Sequence, residues 1–514
     1  MFKPVALFYT DGYKIGHKRM LAKGTAKLYG TWIPRSLKHA PKGIKKIVSF
    51  GQQLTMRWLH DEFTENFFQQ PKDVVVKFQV DMSKYLGMDF DASHFGALHD
   101  LGYLPIRVKA LPEGIETLPN IPHMTFINTV DGFAWLTLYL ETVISSLAWK
   151  PSTSATIALQ YKRNVMQWVA KTDPTNSWLI PFLCHDFSAR GLSVWDMLSS
   201  GLGHATSFRG SDTLVVIPGA RYFYDADNDE VCINSVNASE HSVSTTKIFT
   251  VGESQMIADW LVEFPDGILS IVSDTFDLWQ LITKYLPENK AAIMARNGKL
   301  VIRPDSGDPV DIICGHDNSS WIQSNKATFG DNNVITNSDS PEKKGVIELL
   351  WDIFGGTVNE QGYKVLDPHI GAIYGDSITL DRQIQIYERL AAKGFASTNI
   401  VLGVGSFTYQ FNTRDTLGFA AKGAWFEVKT IDEVGIETYH SYDIYKDPVT
   451  DDGTKVSLKG RCAVFKDDTG EYFVQTQCTA EMEESGEMQV IYENGKFYNQ
   501  ITLEEIRERL DKLC

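Results

Sequence analysis

No two of the six cysteines, spread from Cys184 to Cys514, are spaced as a C-x-x-C pair. That excludes a zinc ribbon and offers no disulfide framework, so reduced thiols in a cytoplasmic protein are expected. Long apolar runs are missing too: the longest uncharged stretch, Gly394 to Thr413, is broken by Ser, Thr, Asn, Gln and Gly, so no membrane span is expected. The opening MFKPVALFYTDGYK meets Asp11 early and lacks a small-residue cleavage site, unlike a signal peptide. Positive charge is scarce, with 49 Lys and Arg against 64 Asp and Glu for a net charge of −15. Such a surface argues against a nucleic-acid binder but leaves room for a local basic pocket. Also absent are a P-loop, H-E-x-x-H, G-x-S-x-G and G-x-G-x-x-G, which removes the common nucleotide and hydrolase templates. Glycine (39) and proline (19) are ordinary for 514 residues, and no internal repeat is visible.

What is present is a globular composition, 43% hydrophobic and 22% charged, long enough for more than one domain. Strand-like runs at Lys46–Phe50 and Ile106–Ala110 share the first segment with an apolar helical stretch, Phe133 to Leu147. From about Ala155 the texture becomes strand, polar turn, helix, strand: GILSIVSD (267–274), KLVIRPDSGDP (299–309), HIGAIYGDS (369–377) and NIVLGVGS (399–406). A helix with Asp381 in its first turn, apolar Ile384, Tyr387 and Leu390, and Gly394 as its C-terminal cap connects the last two. This order predicts parallel strands with helical crossovers, and such folds place chemistry at the C-terminal strand ends. After Arg414 short strands return, as in Trp425–Lys429, Arg461–Lys466 and Glu471–Gln475. The expected fold class is α/β, with parallel strands and helical crossovers over 155–414 and a discontinuous α+β domain from 1–154 and 415–514. A polar stretch, Gly315–Lys343, is expected on the active face as a lid or a decoration.

Several polar clusters could carry chemistry. HDFSARG (185–191) sets an aromatic three residues before an arginine, SFRGSDT (207–213) offers Arg209 and Asp212, and ASEHS (238–242) places Glu240 beside His241. RPDSGDP (303–309) sets Arg303 and Asp305 at a strand end before a glycine turn whose N–H groups can approach an anion. Arginine, glycine turns and carboxylates together suit a phosphorylated substrate with Mg²⁺, an oxygen-ligated cation. Each cluster alone is equally compatible with a structural ion pair or a core residue.

Taken in order, with TDGYK (10–14), SDTFD (273–277), TRD (413–415) and KDP (446–448), the clusters resemble the nicotinamide phosphoribosyltransferase family over nearly the whole chain. The resemblance implies that the 155–414 strands form an irregular (β/α) barrel joined to the second domain, a homodimer with shared active sites, and transfer from 5-phosphoribosyl 1-diphosphate to nicotinamide with Mg²⁺, in NAD biosynthesis. It further implies ATP coupling through phosphorylated His241, with Asp274 orienting the imidazole. Tyr13 of the partner subunit and Phe187 would sandwich the pyridine ring. Asp212 would accept from the carboxamide and repel nicotinate, with Ser235 nearby. Arg190 and Arg303 would face ring and phosphates, and Asp274 and Asp305 would hold diphosphate and Mg²⁺. Asp376, Gly405 and Ser406 would line the ribose 5-phosphate, and Arg35, Arg414, Lys422 and Lys446 would supply phosphate contacts. The sequence departs from the family pattern in three places: at Ser406, where relatives commonly have a second glycine, at Gly371, where a relative carries arginine, and in the Gly315–Lys343 stretch, which is longer than in a relative.

Three other readings compete. A nicotinate phosphoribosyltransferase shares the architecture, and Asp212 speaks against it. A barrel glycosidase would suit an acidic chain with 12 Trp, but not the phosphate-type turns. A non-catalytic relative would have lost His241, Asp274, Arg303 or Asp305, and all four are present.

Overall fold

The computed structural model describes residues 5–229, 231–316, 340–375, 377–446, 449–450 and 457–514. Two sheets joined by one long helix make its frame. The first is antiparallel, in the order Glu437–Asp443, Ala420–Ile431, Thr25–Ile33, Met124–Asn128, Ile106–Ala110, Gln489–Glu493, Lys496–Phe497. The two ends of the chain therefore meet in one sheet.

The joining helix, α1 (Ala134–Thr172), is far longer than the apolar stretch that announces it, because it continues through Pro151. Proline removes a helix hydrogen bond and crowds the preceding turn, so the pattern reads as a stop. Here the Pro151 ring fits against Gly51, whose φ is +97° and where a Cβ would lie 2.4 Å from that ring. Trp135, Tyr139, Val143 and Leu147 pack into the core of the antiparallel sheet, whereas Ile157, Tyr161, Val165 and Val169 join the barrel core. What changes near residue 154 is the partner of the helix, not the helix.

The second sheet is wholly parallel. Its strands are β1 (Cys184–Asp186), β2 (Asn237–Ala238), β3 (Asp266–Val272), β4 (Asn297–Arg303), β5 (Ile370–Tyr374) and β6 (Ile400–Val404), in the order β1-β6-β5-β4-β3-β2. Single bridges from Asp186 to Ser211 and from Gly210 to Asn234 carry the ring from β1 back towards β2, so the sheet curls into an irregular barrel. Alternation sorts its side chains: Leu269, Ile271, Leu300 and Ile302 enter the core, while Ile268, Ser270, Lys299, Val301 and Arg303 line a lumen. The helix expected after Asp381 is Leu380–Ala392, capped by the Thr379 side chain, with Gly394 at φ +77° beyond its end. Of the Gly315–Lys343 stretch, residues 317–339 lie outside the described residues, and a helix resumes at Pro341–Phe354. Among the described residues no helix is long and apolar enough to cross a membrane.

Three buried histidines make stability depend on pH. Burial pushes His94 and His204 down to about 4 and His123 to about 3. All three values lie below the unfolded value of about 6.5, so as pH falls the unfolded chain takes up protons first. Their stabilisation is complete well above pH 6.5 and is lost as pH falls from there towards 4 for His94 and His204 and towards 3 for His123. We expect the melting temperature to drop across that window, with uptake of about three protons on unfolding near pH 5 from these groups, measurable by calorimetry in buffers of different ionisation enthalpy.

Candidate active site

A cavity of about 520 Å³ runs along the barrel lumen, and its walls are mostly apolar. At the C-terminal end of the strands it is lined by His185, Phe187, Asp212, Ser235 and Arg303. Phe187 follows β1, held by its N–H to the Val404 carbonyl at 2.8 Å. Its ring lies 4.6 Å from that of His185 at 33°. Gly403 makes room for it: a Cβ there would sit 2.8 Å from the Phe187 ring. The first glycine of GVGS, inside β6, thus serves packing.

Asp212 is anchored from beneath. Buried Asp186 accepts from Ser188 N at 2.9 Å and from Thr213 Oγ1 at 2.7 Å, and its carbonyl takes the Asp212 N–H at 3.0 Å. The Asp212 Oδ1 pairs with His185 Nε2 at 2.9 Å and accepts from the Ser235 hydroxyl. Oδ2 has no protein donor among the described residues. Burial works to raise the Asp212 carboxyl, but the His185 and Ser235 hydrogen bonds and the Arg303 charge outweigh it, so it ionises below the usual range. Arg303, lowered by burial and drawn back up by Asp305, Asp212 and Asp274, donates to the Ser239 carbonyl at 2.5 Å.

Beside this end stand His241, Asp274 and Asp305. His241 is the first residue of α2 (His241–Val251), with Nδ1 3.2 Å from Thr275 Oγ1. Its Nε2 lies 3.7 Å from Asp274 Oδ1 and 3.9 Å from Asp305 Oδ2. The glycine turn after β4 does receive an anion, but that anion is the protein's own. Asp305 N and Ser306 N donate to Asp274 Oδ2 at 2.9 and 2.7 Å, and the Ser306 hydroxyl does so too. Gly307, at φ +93°, permits the turn. Gly375 lets Asp305 close in, since a Cβ there would meet Asp305 Oδ1 at 2.4 Å.

This donor set bears on a divalent cation. Asp274 spends Oδ2 on three donors, and its Oδ1 is buried without a hydrogen bond, facing His241. Asp305 keeps a partly exposed carboxylate. No cluster of three or more metal-ligating side chains occurs among the described residues. The residues therefore fit Mg²⁺ held chiefly by substrate phosphates and water with one carboxylate, a mode that this cation favours.

Gly405 is buried against the Phe187 backbone, and Ser406 opens the following turn. Arg190 is exposed, outside the cavity lining, and its charge acts on Arg303. Asp376 lies outside the described residues. The structure does not bring Tyr13, Arg35, Arg414, Lys422 or Lys446 of the same chain into the cavity lining. Tyr13 is 68% exposed; Arg35 donates to the Gly418 carbonyl, Arg414 pairs with Asp415 and Lys422 with Glu141. Arg209 turns outward to Glu504, both oxygens at 3.0 Å, and is structural. Sequence reasoning missed His185; strand alternation, which sets it on the same side as Phe187 two residues on, is the signal that could have found it.

The chain from 182 to 488 matches the nicotinate phosphoribosyltransferase (NAPRTase) family. It is 41% identical to a nicotinamide phosphoribosyltransferase of Acinetobacter baylyi, over 97% of this chain and 96% of that protein. A nicotinamide phosphoribosyltransferase of Xanthomonas campestris pv. campestris is 32% identical over 80% of both chains. Among solved structures, a nicotinate-nucleotide pyrophosphorylase from Pyrococcus furiosus superposes with TM-score 0.53 at 15% identity, covering 99% of this chain and 95% of that one. Human nicotinic acid phosphoribosyltransferase gives 0.51 at 14%, covering 98% and 93%. These two likenesses concern the fold.

Proposed function

The chain belongs to the nicotinate phosphoribosyltransferase family, and from its lumen we infer that it acts on nicotinamide, as its relatives at 41% and 32% identity are named for doing. It transfers phosphoribosyl from 5-phosphoribosyl 1-diphosphate, giving nicotinamide mononucleotide and diphosphate for NAD biosynthesis. The observation that carries the choice of substrate is the ionised Asp212 with a free Oδ2 beside the Phe187 ring.

Nicotinamide lies along Phe187, and its amide NH₂ donates to Asp212 Oδ2. The pyridine nitrogen has no proton to lose, so no general base is needed and positioning is the main contribution of the chain. As the C1–diphosphate bond breaks, the ribose gains oxocarbenium character and negative charge grows on the leaving group. Arg303 and Arg190 meet that charge, with Arg35, Arg414, Lys422 and Lys446. Gly405, Ser406 and Asp376 take the ribose 5-phosphate side. Mg²⁺, held through Asp305, supplies further charge neutralisation when bound. Asp274 is assigned to orient His241, because its own oxygens are committed or buried.

The site is completed in a homodimer, where the partner subunit's Tyr13 covers the ring opposite Phe187; the exposure of Tyr13 supports this reading. ATP coupling runs through His241: the imidazole attacks the γ-phosphorus, the bond to the bridging oxygen breaks and ADP departs. Free thiols at all six cysteines support a cytoplasmic setting. The chain is tested by following mononucleotide and diphosphate from nicotinamide, 5-phosphoribosyl 1-diphosphate and Mg²⁺; diphosphate without mononucleotide would mean the acceptor is wrong. Shared sites make a further prediction. Tyr13→Ala and Phe187→Ala should each be nearly inactive, yet equal mixtures of re-associated subunits should recover about a quarter of wild-type activity, since half the dimers keep one intact site.

A further inference from the structure

The lumen has two chemically opposed ends. Asp212 marks one. From Arg303, β4 runs back through Val301 to Lys299, about 13 Å away at roughly 3.3 Å per residue, and all three side chains line the cavity. Lys299 occupies space that Gly371 leaves open: a Cβ on Gly371 would lie 3.1 Å from Lys299 Cδ and 3.8 Å from its Nζ. A cation from the neighbouring strand thus fills the region beside Gly371.

Among the described residues the Lys299 ammonium has no hydrogen bond and no ion pair. Burial lowers its pKa, and Asp367 is the carboxylate that acts against this. Asp367 is itself committed to His369, through N at 2.9 Å and Nδ1 at 2.7 Å. The walls on this side include Ile268, which pairs with Lys299 in register, with Ile373 and Val401 further round. A half-buried, unpaired cation among apolar walls gains from an anion that brings its own apolar body.

We propose that Lys299 makes the end of the lumen remote from Asp212 a second subsite, selective for small amphipathic carboxylates such as aromatic acids. The carboxylate sits on the ammonium and the hydrocarbon body lies along Ile268, Val301 and Ile373. Nicotinate held this way has its carboxylate turned away from Asp212 and its ring remote from the transfer end, so it occupies the lumen unproductively. The subsite rests on the lumen itself and is read by binding, independently of whether the transfer reaction is correctly assigned.

The test is calorimetric titration of the full chain with 3-phenylpropionate and with its amide, 3-phenylpropionamide. The wild type should bind the acid about tenfold more tightly than the amide. Lys299→Met should remove that preference and leave amide binding unchanged, whereas Lys299→Arg should keep it. Lys299→Gln carries the same expectation as Met, should the latter fail to fold by thermal melting. Equal binding of acid and amide to the wild type, or a preference that survives Lys299→Met or Lys299→Gln, would overturn the subsite.

Discussion

Asp212→Asn should shift the ratio of kcat/KM for nicotinamide over nicotinate by about a thousandfold, roughly 4 kcal/mol, mostly through a gain with nicotinate. In the wild type a nicotinate carboxylate at this end meets the ionised Asp212 inside a lumen of low dielectric, where like charges repel strongly. Asparagine is isosteric, so its Oδ1 can still engage His185 Nε2 and accept from the Ser235 hydroxyl, which now pair with Asp212 Oδ1. The frame therefore stays, and only the free atom changes, from an anionic acceptor to an NH₂ donor. That donor welcomes a carboxylate and loses the bond to the amide of nicotinamide. Steady-state kinetics with both acceptors check this, and an unchanged ratio would mean that the carboxamide does not contact Asp212.

The second large effect concerns ATP. His241→Ala should abolish any ATP stimulation, taking the rate ratio with and without ATP to one, while a measurable basal transfer persists. The histidine begins an eleven-residue helix, where partial positive charge favours a phosphoryl group. Nδ1 faces the Thr275 hydroxyl, and Nε2 faces the Asp274 and Asp305 carboxylates at 3.7 and 3.9 Å. Label from γ-³²P-ATP should appear on the wild type in an acid-labile, base-stable form and be missing from the variant. Stimulation that survives His241→Ala would remove the phosphohistidine from the mechanism.

The strand ends were legible in the sequence because a parallel barrel needs short β-rich runs bounded by polar turns. The four runs ending near Asp274, Arg303, Asp376 and Ser406 correspond to β3 through β6. Helix α1 was only half legible, since Pro151 mimics a terminus when its docking against Gly51 is unknown. The closure of the ring rests on single bridges at Ser211 and Asn234, which leave no periodic signal. The RPDSG turn read as a phosphate cradle because exposed N–H groups look alike whatever anion they serve; here that anion is Asp274. His185 and Lys299 were hidden for one reason: each is a polar residue whose meaning depends on facing the lumen rather than the core.

Substrate competition tests the central assignment most directly. Equimolar nicotinamide and nicotinate are supplied to the wild-type chain with limiting 5-phosphoribosyl 1-diphosphate and Mg²⁺, with and without ATP, and the two mononucleotides are separated. The expected result is nicotinamide mononucleotide in large excess under both conditions. Nicotinic acid mononucleotide in equal or greater amount would contradict the role given to Asp212 and, with it, the acceptor assigned to this lumen.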